Sequence, residues 1–156
     1  MKLKDFIVTE AILPEMKAKT AKEAIEEMVT SLVSTKALPN GQRKKVSEAI
    51  LKREKKGTTG FGNGVAIPHA KHEGVKGVVG VVGRCPIGVD FAALDGQPVH
   101  LFFLLLSNPD QPEEHLKAME HIFRSIKNDN LRRFMCQATS RDELAELLME
   151  ADEGLG

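Results

Sequence analysis

The sequence has no tryptophan and no tyrosine, and its only large aromatics are seven phenylalanines. This argues against an aromatic platform for stacking bases or sugars. It also lacks an excess charge. Twenty-two basic residues balance twenty-two acidic ones, for a formal net charge of zero. Bulk electrostatics therefore recommends neither a nucleic-acid partner nor an anionic membrane surface. No apolar run approaches the roughly 20 residues of a membrane helix. The longest, Leu101 to Leu106, is of strand length, so no direct membrane insertion is expected. The opening "MKLKDFIVTE" lacks the apolar core of a signal peptide, and a cytoplasmic location is expected. The two cysteines, Cys85 and Cys136, lie far apart and outside any C-x-x-C pattern. Reduced, partly buried thiols are expected rather than a disulfide or a metal site.

A chain of 156 residues is near the commonest size of one domain and buries about two thirds of its unfolded surface. A single domain over residues 1–156 is expected. Thr20-Ala21-Lys22-Glu23 reads as a capping box, and Ala21, Ala24, Ile25, Met28, Val29, Leu32 and Val33 follow at helical spacing. A second helix is expected from about Asn40 to Lys56, ending at Gly57, with a basic and largely solvated outer face. The middle of the chain reads as strand. Val65–Ile67 is short, and "KGVVGVVGR" carries glycines where neighbours pack closely. Asp95-Gly96 between two apolar segments signals a hairpin. Its second arm, Val99–Leu106, is apolar on both faces and should be a central strand covered on both sides. Helical spacing returns with Leu116, Met119, Ile122, Phe123 and Ile126 on one stripe. A short helix over 130–137 and a helix opened by Ser140 follow, the latter with Leu144, Leu147 and Leu148 inward, and the closing "ADEGLG" is expected to fray. The element order implies a layered α/β or α+β domain.

The chemistry concentrates in "GFGNGVAIPHAKH". Gly60, Gly62 and Gly64 permit positive φ, and consecutive amides in such a turn can form an anion-binding concavity. Pro68 fixes its own φ and holds Ile67 extended, so His69 leaves the strand end from a defined place. An imidazole, with a pKa near 6.5, is largely neutral at pH 7 and offers a nucleophilic nitrogen. Phosphoryl transfer needs positioning and compensating charge. Arg53, near the end of the second helix, and His115, at the start of a later one, are candidates to supply them. On the residues alone, the default readings are a strand-end histidine bonded to a backbone carbonyl for His69, a solvated helix residue for Arg53 and a helix-start surface residue for His115.

"LKREKKGTTGFGNGVAIPHAK" closely resembles the active-site stretch of type-2 enzyme IIA domains of the bacterial phosphoenolpyruvate-dependent phosphotransferase system. That family comprises the fructose, mannitol and nitrogen-regulatory IIA proteins. Its pattern is R-E, a short spacer, then T-G-x-G-x-G-x-A-x-P-H. Here this is Arg53-Glu54, Thr59-Gly60, Gly62, Gly64, Ala66, Pro68 and His69. "GVDFAALDGQPVHLFFLLLSNPDQPEEHLKAM" resembles the second block, and the similarity spans about residues 5 to 150. The resemblance implies a single mixed β-sheet with helices on both faces. It implies that His69 accepts a phosphoryl group from the phosphocarrier HPr, with His115 supporting the phosphohistidine and Arg53 assisting at the phosphoryl group. Thr59 and the glycine loop then shape the pocket. A phosphohistidine needs no metal, and no cofactor is expected. The acceptor is a sugar-specific IIB domain or, for a nitrogen-type regulator, a target protein. With no fused IIB, IIC or HPr-like segment in the sequence, the regulatory role is favoured. A binding module without phosphotransfer is the reading from another class, and the intact Arg53, His69 and His115 argue against it. Lys71, Met119, His121 and "SNPDQPEE" depart from the family pattern and bear on the partner-facing surface. A zinc site from His69, His72 and His115 lacks a cysteine or carboxylate at ligand spacing and is not expected.

Overall fold

The computed structural model describes residues 1–154. Helix α1 spans Ala21–Ser34 and buries Ala24, Ile25, Met28, Val29 and Leu32. Its N-cap is the Thr20 hydroxyl, which accepts from the Glu23 amide. The Glu23 carboxylate reaches back one residue further than a capping box requires, to the amide of Lys19. Residues Asn40–Gln42 form one 3₁₀ turn, and α2 proper runs Arg43–Lys55.

Five strands form one mixed sheet: β1 Gly60–Gly62, β2 Val65–Ala66, β3 His69–Lys71, β4 Val78–Val89 and β5 Val99–Ser107. Strand β5 is central. Strand β4 pairs with it antiparallel. Along its other edge lie β2 and β3, both parallel to it, with Val65 opposite Leu101 and His69 opposite Leu105. Strands β2 and β3 are thus two halves of one edge, parted by Ile67-Pro68. Proline has no N–H to give the ladder, so the pairing breaks there. The Pro68 carbonyl still accepts from Leu105 N at 3.0 Å, which keeps the two halves in line.

Both faces of β5 are covered, as its apolar sequence requires. Phe102, Leu104 and Leu106 pack with Ile25, Met28 and Leu32 of α1 and Val46 and Ile50 of α2. Leu101, Phe103 and Leu105 face the other way, toward three helices: α3 Pro112–Ile126, α4 Asp129–Gln137 and α5 Arg141–Asp152. Full burial of Phe102 and of Phe103 stabilises the fold by about 2–3 kcal/mol each. The glycines of β4 are placed where neighbours come close. A Cβ on Gly80 would stand 3.0 Å from the Leu104 carbonyl, and one on Gly83 2.4 Å from Met16 Sδ.

Three expectations need correction. The buried stripe of α3 is His115, Ala118, Ile122 and Ile126, whereas Leu116 is 59% exposed. Ile122 and Ile126 are buried as expected and Met119 and Phe123 pack partly buried against the same core, so only Leu116 is misplaced, with His115 and Ala118 turned inward instead. Asp95-Gly96 does not form a two-residue hairpin. The connection covers residues 90–98, with Gly96 N bonded to the Ala93 carbonyl, because it also packs against the glycine loop. At the end of the chain, Ala151 and Asp152 complete α5, and the Asp152 carboxylate accepts from the amides of Leu3 and Lys4. Leu155 and Gly156 lie outside the described residues.

Candidate functional site

A cavity of about 540 Å³ opens between the end of α2, strand β3 and the start of α3. It is lined by Ala49, Lys52, Arg53, Lys56, His69, Ala70, Lys71 and His115. Every charged side chain in that lining is basic, which makes it a seat for an anion.

His69 begins β3, directly after the Pro68 break. Its Nδ1 lies 2.8 Å from the Ile67 carbonyl. A carbonyl only accepts, so Nδ1 carries the proton and the Nε2 lone pair is free. Burial pushes the His69 pKa below its ordinary value. The Ile67 carbonyl opposes this shift, and the Arg53 charge adds to it. The ring is therefore neutral near pH 7.

His115 stands beside it, with ring centroids 5.8 Å apart and planes inclined by 54°. It is only 8% exposed. Its Nδ1 is 2.5 Å from the Ser107 hydroxyl at the end of β5. Burial, then His69, then Lys71 push its pKa down to about 4. A lowered histidine pKa means that the folded chain binds fewer protons than the unfolded chain between about pH 4 and 6.5. Stability from this group is complete above pH 6.5 and is lost as pH falls. Since the ring faces a solvent-accessible cavity, the effect is smaller than the full shift would give. Between pH 7.5 and 4.5 the wild type is expected to lose about 1–3 kcal/mol more than His115→Asn. Urea unfolding of both proteins at the two pH values measures this, and parallel losses would contradict it.

The Arg53 guanidinium donates from Nη1 to the Gly57 carbonyl at 3.0 Å, which ties it to the end of its own helix. The rest of the fork remains for an anion. Thr59 and the three glycines are placed differently. Thr59 is fully buried, and its amide and hydroxyl both donate to the Glu54 carboxylate, at 2.7 and 2.6 Å. Gly62 and Gly64, at φ of 104° and 77°, turn the chain through Asn63. Gly60, Gly62 and Gly64 do not line the cavity that holds His69. They pack on the 90–98 connection, where a Cβ on Gly60 would stand 2.9 Å from Ala93 Cα. The Asn63 amide donates to the Asp95 carboxylate, so this donor of the loop is already engaged. The loop acts on His69 through the backbone: the Thr59 carbonyl accepts from Ile67 N.

The other histidines lie outside this lining. His100 Nδ1 bonds the Cys85 carbonyl, and His72 Nδ1 accepts from the Gly74 amide. Two residues at the site carried no role in the sequence reading. Glu54 is part of the quoted motif, and its grip on Thr59 needed the folded loop to be seen. Ser107 is the lone polar residue closing the apolar run of β5, a position that was its only signal.

The fold and the site define an α/β domain with a paired-histidine, basic pocket at one sheet edge. The chain belongs to the EIIA 2 family of the phosphoenolpyruvate-dependent sugar phosphotransferase system, whose model matches residues 5–151. It is 37% identical over 145 residues to a nitrogen regulatory protein of Bradyrhizobium diazoefficiens, covering 93% of this chain and 92% of that one. It is 33% identical over 153 residues to the fructose-specific EIIABC component of Bacillus subtilis, covering 98% of this chain but only 24% of that protein. The nitrogen regulatory protein IIA-Ntr of Neisseria meningitidis superimposes with a TM-score of 0.83 at 32% identity, over 92% of this chain and 97% of that one. The nitrogen-regulatory and fructose branches of the family are thus both represented among its relatives. No helix among the described residues is long and apolar enough to cross a membrane.

Proposed function

We propose that the protein is a phosphocarrier that accepts a phosphoryl group on Nε2 of His69 from an HPr-like phosphohistidine protein. The observation that carries this reading is the bond from His69 Nδ1 to the Ile67 carbonyl, which leaves Nε2 as the free nucleophile of a neutral ring inside a basic cavity. In the transfer, the Nε2 lone pair forms the new N–P bond. The donor's N–P bond breaks, and its electron pair returns to the donor imidazole. No base is needed, because Nε2 carries no proton to lose. The positive character gained by the His69 ring is offset by the Ile67 carbonyl on Nδ1–H. Arg53 and His115 face the phosphoryl oxygens, and Thr59 and the glycine loop hold Ile67 and so the histidine. Catalysis of this kind is positioning plus electrostatic stabilisation, and no metal is invoked.

The end-to-end similarity to proteins called nitrogen regulatory supports a regulatory role, in which the phosphorylation state of His69 governs binding to a target protein. The match to a fructose-specific component supports a second reading, transfer onward to a IIB domain. The test is to incubate the chain with phosphoenolpyruvate, enzyme I and HPr and record its intact mass. A gain of one acid-labile phosphoryl group is expected. Absence of any gain with several HPr proteins would overturn the carrier reading in favour of a binding module. Adding isolated IIB domains then separates the two roles: rapid loss of the label to IIB supports sugar transport, and retention supports regulation.

A further inference from the structure

We propose that Ser107 is a positioning residue that sets the tautomer of His115, donating its hydroxyl proton to Nδ1 so that Nε2–H points at the phosphoryl group. The inference rests on the phosphocarrier reading for its functional consequence but not for its geometry.

Ser107 and His115 are joined at 2.5 Å, and Ser107 is fully buried at the end of β5. Two assignments are open to a neutral imidazole. If Nδ1 carried the proton, it would donate to the Ser107 oxygen, and the serine proton would need an acceptor of its own. Among the described residues the Ser107 hydroxyl has no hydrogen-bond partner besides His115. That proton would be buried and unpaired, an arrangement native proteins avoid. If the serine donates to Nδ1, one proton satisfies both groups, and the ring proton sits on Nε2.

The chemical consequence follows from charge. An Nε2 lone pair facing a phosphoryl oxygen would repel it, whereas an Nε2–H donates to it. The two histidines are thus fixed in opposite tautomers by different partners. The Ile67 carbonyl takes Nδ1–H of His69 and frees Nε2 as nucleophile. The Ser107 hydroxyl occupies Nδ1 of His115 and leaves Nε2 as donor. One ring attacks and the other steadies what is attacked, with both neutral before transfer. Ser107 closes the same central strand that pairs with β3, its partner in register being Lys71. The sheet therefore spaces the serine and the nucleophile together.

The test reads tautomers directly. Two-bond proton–nitrogen NMR of histidine-labelled, full-length wild type is expected to show His115 protonated on Nε2 and His69 on Nδ1. Ser107→Ala is expected to give His115 a mixture of tautomers, leave His69 unchanged, and slow phosphoryl acceptance from phospho-HPr by roughly 10-fold to 100-fold, the worth of one hydrogen bond to a charged group. Ser107→Thr keeps the hydroxyl and should restore both tautomer and rate. An Nδ1–H form of His115 in the wild type overturns the proposal without recourse to any variant. So does an unaltered tautomer and rate in a folded Ser107→Ala. An Nε2–H form in a wild type that takes no phosphoryl group supports the Ser107 assignment while refuting the carrier reading.

Discussion

His69→Ala is expected to take no phosphoryl group under conditions in which the wild type is fully labelled. The expected loss is complete, because no other nitrogen in the cavity combines a free lone pair with a fixed direction. His115 is the nearest competitor, at 5.8 Å between ring centroids, and its Nδ1 is occupied by the Ser107 hydroxyl. The variant should remain folded. His69 is half-buried at a cavity wall, and its one hydrogen bond reaches two residues along the chain to Ile67. Loss of such a bond costs about 1 kcal/mol, a small part of the stability of a typical domain. Intact mass after incubation with phospho-HPr, with a urea unfolding curve beside it, checks both halves. Label remaining on the alanine variant would move the acceptor elsewhere, and a label confined to His115 would reverse the roles of the two rings.

Glu54→Ala is expected to be the more damaging substitution for the fold, although Glu54 does not line the cavity. Among the described residues its carboxylate is the one partner of two donors of a buried residue, the amide and hydroxyl of Thr59. Thr59 in turn holds Ile67 through its carbonyl, and Ile67 holds His69. Hydrogen bonds to a charged group contribute about 1.5–3 kcal/mol each, and stranded buried donors add a desolvation cost, so a destabilisation of about 3 kcal/mol or more is expected. The phosphorylation rate should fall as well, since the carbonyl that fixes the His69 tautomer is no longer held in place. Glu54→Gln keeps one acceptor oxygen for one of the two donors and should fall between wild type and alanine on both scales. Urea midpoints for the three proteins, with labelling rates measured well below the transition, give the comparison. A loss under 1 kcal/mol in the alanine variant would mean that the loop is held by its packing on the 90–98 connection and not by this carboxylate.

Much of the architecture was legible because its elements carry strong periodic or terminal signals. Thr20 and Ser140 announced the starts of α1 and α5 through hydroxyls that accept amide protons three residues on. The Val99–Leu106 run could be placed at the centre of a sheet because only a strand covered on both faces can bury consecutive apolar side chains. The phase of α3 was harder. Leu116 is the more hydrophobic residue, yet His115 is the one turned inward, since pairing with Ser107 gives the buried imidazole a partner. The Asp95-Gly96 pair indicated a turn but not its length, which is set by contacts to a loop some thirty residues earlier, such as Asn63 to Asp95.

For the site, the residue types and their family order could be read along the chain: a glycine loop, a proline-fixed histidine, an arginine before it and a second histidine after a long apolar strand. Those are local or pattern properties, written in spacing. How these groups stand to one another came from the folded chain. It brought Arg53, His69 and His115, from three separate elements, around one cavity, and it set the glycines outside that lining. It also decided which ring nitrogen of His69 is free. That choice depends on whether a carbonyl or a hydroxyl stands opposite Nδ1, and a hydrogen-bond partner is fixed by where the folded backbone goes.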